Sequence, residues 1–224
     1  MEASSKVDAP RFTTDRGEGR PALSAADVSF VPTPVADPGP LGLAAFALTT
    51  FVLSVFNAGL MGAAGEPIVF GVALAYGGVA QFAAGMWEFR SGNTFGALAF
   101  TSYGAFWLSF WAFVEFFEKS VPAADAGHAV GLYLIAWGIF TAYMFIASLR
   151  TTVAIATVLG LLTLTFIALG IGDAGAHTTM THIGGWLGLA TAAAAWYASF
   201  AAVTNSTFGR TVMPVRPLRG PTGT

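Results

Sequence analysis

Between Leu41 and Val203 the chain is a succession of apolar blocks, each close to the ~20 residues that a helix needs to cross a bilayer. Short breaks carrying Gly, Pro or charge separate them, and six blocks can be drawn, at 41–62, 67–88, 94–117, 128–149, 151–172 and 178–203. In lipid every backbone polar group must be satisfied within the protein, which a helix does by itself. The pattern therefore predicts an all-α integral membrane protein with six transmembrane helices. Blocks four and five are parted by little more than Arg150, but one helix of their combined length is too long to cross once, so a break belongs there. Composition agrees: 10% of residues are charged, against about 25% in a soluble domain.

Outside this body the chain is polar. Residues 1–36 lack the apolar core of a secretory signal and are expected to form a disordered tail. Residues 37–209 make the six-helix domain, and 210–224 form a second short tail. Lys6, Arg11, Arg16, Arg20, Arg90, Arg150, Arg210, Arg216 and Arg219 all fall in the two tails or the even-numbered loops, leaving Lys119 alone on the other side. Because cytoplasmic segments carry the excess of Lys and Arg, both termini are expected in the cytoplasm of a cell whose plasma membrane the chain crosses. The sequon Asn205-Ser206-Thr207 then lies on the cytoplasmic side.

Several function classes drop out. A net charge of −2 without a basic cluster in the apolar body argues against a nucleic-acid partner. With no cysteine there is no thiolate metal site or disulfide. No block holds a central Lys for retinal, facing histidines for haem, or a nucleophile with a base at depth. Neither a catalytic residue, a metal nor a cofactor is therefore expected. Glu88, Arg90, Glu115, Glu118 and Lys119 sit near block ends, where side chains reach the interface. His182 stands alone at the head of block six and reads as a hydrogen-bonded structural residue.

What the blocks do hold is small and uncharged. Glycines such as Gly42, Gly59, Gly62, Gly85 and Gly185 read as contact points between helices, which approach closely in lipid only through small residues. Thr49, Thr50 and Ser54 can return their hydroxyls to a carbonyl one turn back. Thr101 reads the same way. Asn57, Gln81 and Tyr103 cannot, so each needs a partner from another helix or a wet cavity. Such residues without deep charges favour a narrow path for a small polar solute, with Thr49, Asn57, Gln81 and Ser102 as candidate stations along it.

Four segments carry a resemblance. "DPGPLGLAAFALTTFVLSVFNAG", "YGGVAQFAAGMWEFRSGNTFGALAFTSYGAFW", "GLYLIAWGIFTAYMF" and "FGRTVMPV", in that order, are similar to the acetate uptake transporter family, which includes bacterial succinate-acetate permeases and fungal ammonia/acetate exporters. Together they span 37–215. The resemblance implies a six-helix protomer in a homo-hexamer, with a path in each protomer for acetate, succinate or another short carboxylate. It also implies an apolar constriction at Phe46, Tyr103 and Leu162. Asp37, Pro38, Pro40, Leu41 and Gly42 correspond to the family's Asn-Pro-x-Pro-Leu-Gly motif at the cytoplasmic mouth, with Asp37 replacing the Asn. Either side chain can cap the helix that follows, but the carboxylate adds negative charge to the mouth. The competing readings are a pore for a neutral solute such as ammonia, and a membrane sensor or scaffold that transports nothing. The short loops count against the last.

Overall fold

The computed structural model describes residues 13–14, 21–22 and 35–218. The chain divides into two units at Pro34. In the first, strand β1 (Thr13–Thr14) pairs antiparallel with β2 (Pro21–Ala22). The rest of the expected N-terminal tail, apart from residues 35 and 36, lies outside the described residues.

The second unit holds six helices long and apolar enough to cross a membrane: α1 (Gly39–Asn57), α2 (Ala63–Ser91), α3 (Thr94–Ser120), α4 (Ala123–Ser148), α5 (Val153–Ala174) and α6 (Thr178–Phe208). They coincide with the six apolar blocks, with shifted ends. Block one reaches residue 62, but α1 stops at Asn57 because Gly59 turns the chain at φ 72°. Gly59 and Gly62 thus belong to a turn; Gly59 lies against His182 of α6, and Gly62 has no neighbour within 4 Å of where a Cβ would stand. Block six was drawn to 203, whereas α6 runs on to Phe208 until Gly209 takes a left-handed conformation. The break at Arg150 is real: α4 ends at Ser148, and Thr152 caps α5 by accepting from the Ile155 N–H at 3.2 Å.

Helix neighbours form a ring. Helix α6 packs along both α1 and α5, α5 along α4, and α2 along α3 and α1. Small residues make the tightest of these contacts: a Cβ on Gly185 of α6 would collide with the backbone of Ala58 at the end of α1. The α3–α4 seam is different, because aromatic side chains bridge it. Tyr133 Oη of α4 donates to the Phe106 carbonyl at 3.0 Å, and the two rings stack with centroids 5.6 Å apart. Bulky side chains hold this seam open where glycines close the others, and the centre falls to α1, α3 and α5 with one face of α2.

After Arg210 the chain folds back. Asn205 accepts from the N–H groups of Val212 and Met213 and donates to the Met213 carbonyl, and Tyr197 Oη donates to the Pro214 carbonyl. Beyond this, Val153 N–H donates to the Arg216 carbonyl and Leu218 N–H to that of Thr151. The described part of the C-terminal segment is thereby stitched to the start of α5.

Candidate functional site

A cavity of about 350 Å³ opens at the face where α1 begins and α2 ends, and it runs inward between α1, α2, α3 and α5. Asp37, Glu88, Asn93 and Thr151 line its outer part, and Phe46, Gln81, Tyr103 and Leu162 lie deepest along their respective helices. Each wall follows from local sequence. The motif at the head of α1 places prolines where missing N–H groups cost little, and Asp37 Oδ1 accepts from the Gly39 N–H at 2.8 Å. Ser199 of α6 donates to the Pro40 carbonyl at 2.7 Å and ties that start to the last helix. Gly42 lies under a ring: a Cβ there would come within 2.6 Å of Phe100, itself part of the cavity wall. Leu41 points outward and Pro38 is buried, so of this stretch Asp37, Gly39 and Leu43 reach the cavity.

The α2–α3 turn builds the opposite lip. Gly92, at φ 79°, ends α2, and Asn93 caps α3 by accepting from the Gly96 N–H at 3.1 Å. This turn folds Glu88 inward. Only 2% of it is exposed, and Ser91 Oγ donates to its carboxylate at 3.2 Å. Reading Glu88 as a residue that reaches the interface was wrong. Its spacing from Gln81, seven residues or two helical turns, places both on one face and was the signal available.

At the base of the cavity Phe46 and Tyr103 meet with ring centroids 5.7 Å apart, and Leu162 completes the same buried cluster. The Tyr103 hydroxyl donates to Thr141 Oγ1 of α4 at 3.1 Å, and Thr141 donates to the Trp137 carbonyl at 2.7 Å. Beneath lies a second aromatic layer, in which Phe106 meets Phe166 edge-on at 5.3 Å. Neither Thr141 nor this second layer is marked in the sequence, because a threonine can bond its own helix and Phe occurs in all six blocks.

On the other face two adjoining cavities of about 580 and 400 Å³ share Asn57, Glu66, Glu118 and Asp173. His182 lines the larger and is exposed, and among the described residues it makes no hydrogen bond of the kind expected of it. Phe106, Leu134 and Leu169 line the inner end of the smaller. From Tyr103 to Phe106, or Leu162 to Leu169, the two ends stand ~5 to 10 Å apart along the helices.

The candidate stations are thus divided. Gln81 lines the first cavity and Asn57 the opposite pair. Thr49 lines none of these cavities; its hydroxyl donates to the Ala45 carbonyl at 3.0 Å, as an isolated threonine can. Ser102 also lies outside them, half-buried beside Tyr103. Thr101, expected to bond its own helix, is packed against Gly85 of α2 and makes no hydrogen bond.

Six apolar helices closed into a ring, with a cavity entering from each face and an aromatic layer between, define a multi-pass membrane channel or transporter. The chain belongs to the GPR1/FUN34/yaaH family, whose model matches residues 22–220. It is 39% identical over 183 residues to the succinate-acetate/proton symporter SatP of Escherichia coli K12, covering 82% of this chain and 96% of that protein. It is 42% identical over 195 residues to acetate permease A of Emericella nidulans, covering 80% of this chain and 65% of that longer protein. A solved structure of the bacterial acetate channel SatP superposes with a TM-score of 0.76 at 39% identity, covering 81% of this chain and 99% of that one.

Proposed function

We propose that the chain moves acetate, and with it succinate and related short carboxylic acids, across the plasma membrane, together with protons. The observation that carries this reading is the cavity floored by Phe46, Tyr103 and Leu162 in a chain 39% identical to a succinate-acetate/proton symporter. The floor is apolar and closely packed, so a solute that passes it must be small and shed its water. A bare carboxylate meets a steep desolvation cost there, whereas the neutral acid does not. Charge favours the same form: carboxylates stand at both mouths, and among the described residues no Lys, Arg or His lines the first cavity. In this reading Phe46, Tyr103 and Leu162 act as the constriction. The Asp37 motif shapes the cytoplasmic mouth, and Gln81 and Asn57 are polar stations on either side. The protomer sits in lipid with both termini cytoplasmic and assembles as a homo-hexamer.

The test is uptake of labelled acetate by proteoliposomes with and without an imposed pH gradient. Saturable uptake that succinate competes and an inward proton gradient accelerates is the expected result. Flux of ammonia without acetate uptake would mark a neutral-solute pore, and absence of any flux would mark a scaffold.

A further inference from the structure

Gln81 is the largest completely buried side chain in the described part of the protein, at 0% exposure. Neither its Nε2 nor its Oε1 has a hydrogen-bond partner among the described residues. Buried polar atoms are nearly always paired, and one amide orphaned at both ends is a marked exception. Thr50, Thr101 and Trp107 also hold unpaired buried atoms. None of those three lines the cavity, whereas Gln81 does.

A primary amide presents a donor and an acceptor side by side. Its complement is a group that accepts and donates at the same spacing, which a neutral carboxyl does through its C=O and O–H. A carboxylate only accepts. Set against the same amide it makes one bond and turns its second oxygen toward Oε1, acceptor against acceptor. The surroundings reinforce the distinction. Ionisable groups reach the cavity from three elements: Asp37 at the head of α1, Glu88 on α2 and Tyr103 on α3, while the residues facing it from α5 and α6 are uncharged. The Tyr103 hydroxyl is already committed to Thr141, and Glu88 lies two turns, ~10 Å, nearer the mouth.

Resting on the transport reading above, we propose that Gln81 reads the protonation state of the solute. Its Nε2–H donates to the carbonyl oxygen of a neutral short acid, and its Oε1 accepts from that acid's O–H. The solute's own carboxyl group then carries the proton past the aromatic floor, entering and leaving on the same oxygen, and no covalent bond to the protein is made or broken.

Two neutral probes of acetate's size separate the chemistry. Acetamide offers a donor and an acceptor, like the neutral acid, and methyl acetate offers acceptors only. In proteoliposomes, with protein-free vesicles as baseline, acetamide is expected to compete with labelled acetate and methyl acetate to compete at least about tenfold more weakly. In Gln81→Met, protein-dependent acetate uptake should fall by about tenfold or more and the difference between the probes should vanish. The same variant should melt no lower than wild type, because it removes an unpaired amide rather than a structural bond. Equal competition by the two probes, or wild-type uptake in Gln81→Met, overturns the assignment while leaving transport standing. A lower melting temperature in Gln81→Met assigns the amide to structure and also overturns it. Wild-type protein that takes up no acetate defeats the transport reading, and the assignment with it.

Discussion

Tyr103 brings ring and hydroxyl into different parts of the site, and substitution can separate them. The ring packs against Phe46 at 5.7 Å and Phe140 at 5.4 Å, and the hydroxyl bonds Thr141. Tyr103→Phe keeps the ring and loses one neutral hydrogen bond, so stability should fall by about 1 kcal/mol with selectivity unchanged. Tyr103→Ala removes the ring, should cost about 3–5 kcal/mol, and should raise succinate uptake relative to acetate by opening the floor. Thermal melts and paired uptake assays check both variants, with Phe46→Ala as the companion. Unchanged selectivity in both alanine variants would sink the constriction. At this scale the sequence was informative where chemistry is unusual. Tyr103 and Gln81 are hard to satisfy in lipid and stand out, whereas Glu88 was misjudged because only the α2–α3 turn folds its carboxylate inward. Thr49 shows the opposite limit: its hydroxyl had a partner in its own helix and no need of a cavity.

At the scale of elements, the pieces that matter for the mouth are joined through the C-terminal segment. Asn205 holds it with three hydrogen bonds, and residues further on bond Thr151 and Val153 where α5 begins. Thr151 and Thr152 line the first cavity, so this segment braces one side of its opening. Asn205→Ala should release the segment and leave the helices intact. Hydrogen exchange at the amides of Val153 and Leu218 should speed up by an order of magnitude or more, from ~1–3 kcal/mol of lost local stability. Protection equal to wild type at both amides would show that Asn205 does not hold the brace. Helix positions themselves were legible to within a few residues, since length and apolarity are local properties. The ends were less so: Gly59 and Gly209 terminate helices through positive φ, while the blocks were drawn from composition.

For the whole molecule, the absence of cysteine makes orientation in the membrane directly testable. Lys119 lies at the end of α3 and Arg150 between α4 and α5, at opposite ends of the helix ring. With cytoplasmic termini, Lys119→Cys should react with a membrane-impermeant maleimide in intact cells, and Arg150→Cys only after permeabilisation. The reverse pattern would invert the orientation. The outer face of α4 bears on assembly, because Leu132, Ile139 and Ile146 repeat every seven residues there and are all about 70% exposed. These side chains face outward from the six-helix ring, where lipid or a neighbouring copy would cover them.

The sequence alone determined six membrane helices, a lack of deep charge and the residues most difficult to bury, because each follows from the chemistry of a short window and the thickness of a bilayer. It could not determine which of those residues share a space. That depends on how the helices turn about their axes and on which seams close on glycine and which open on aromatics. Tertiary structure placed Gln81 and Glu88 in one cavity and Asn57 at the opposite mouth, and it left Thr49 and Ser102 outside these cavities. A polar side chain's need for a partner is written in the residue; whether that partner is a neighbouring helix or a passing solute is decided only by packing.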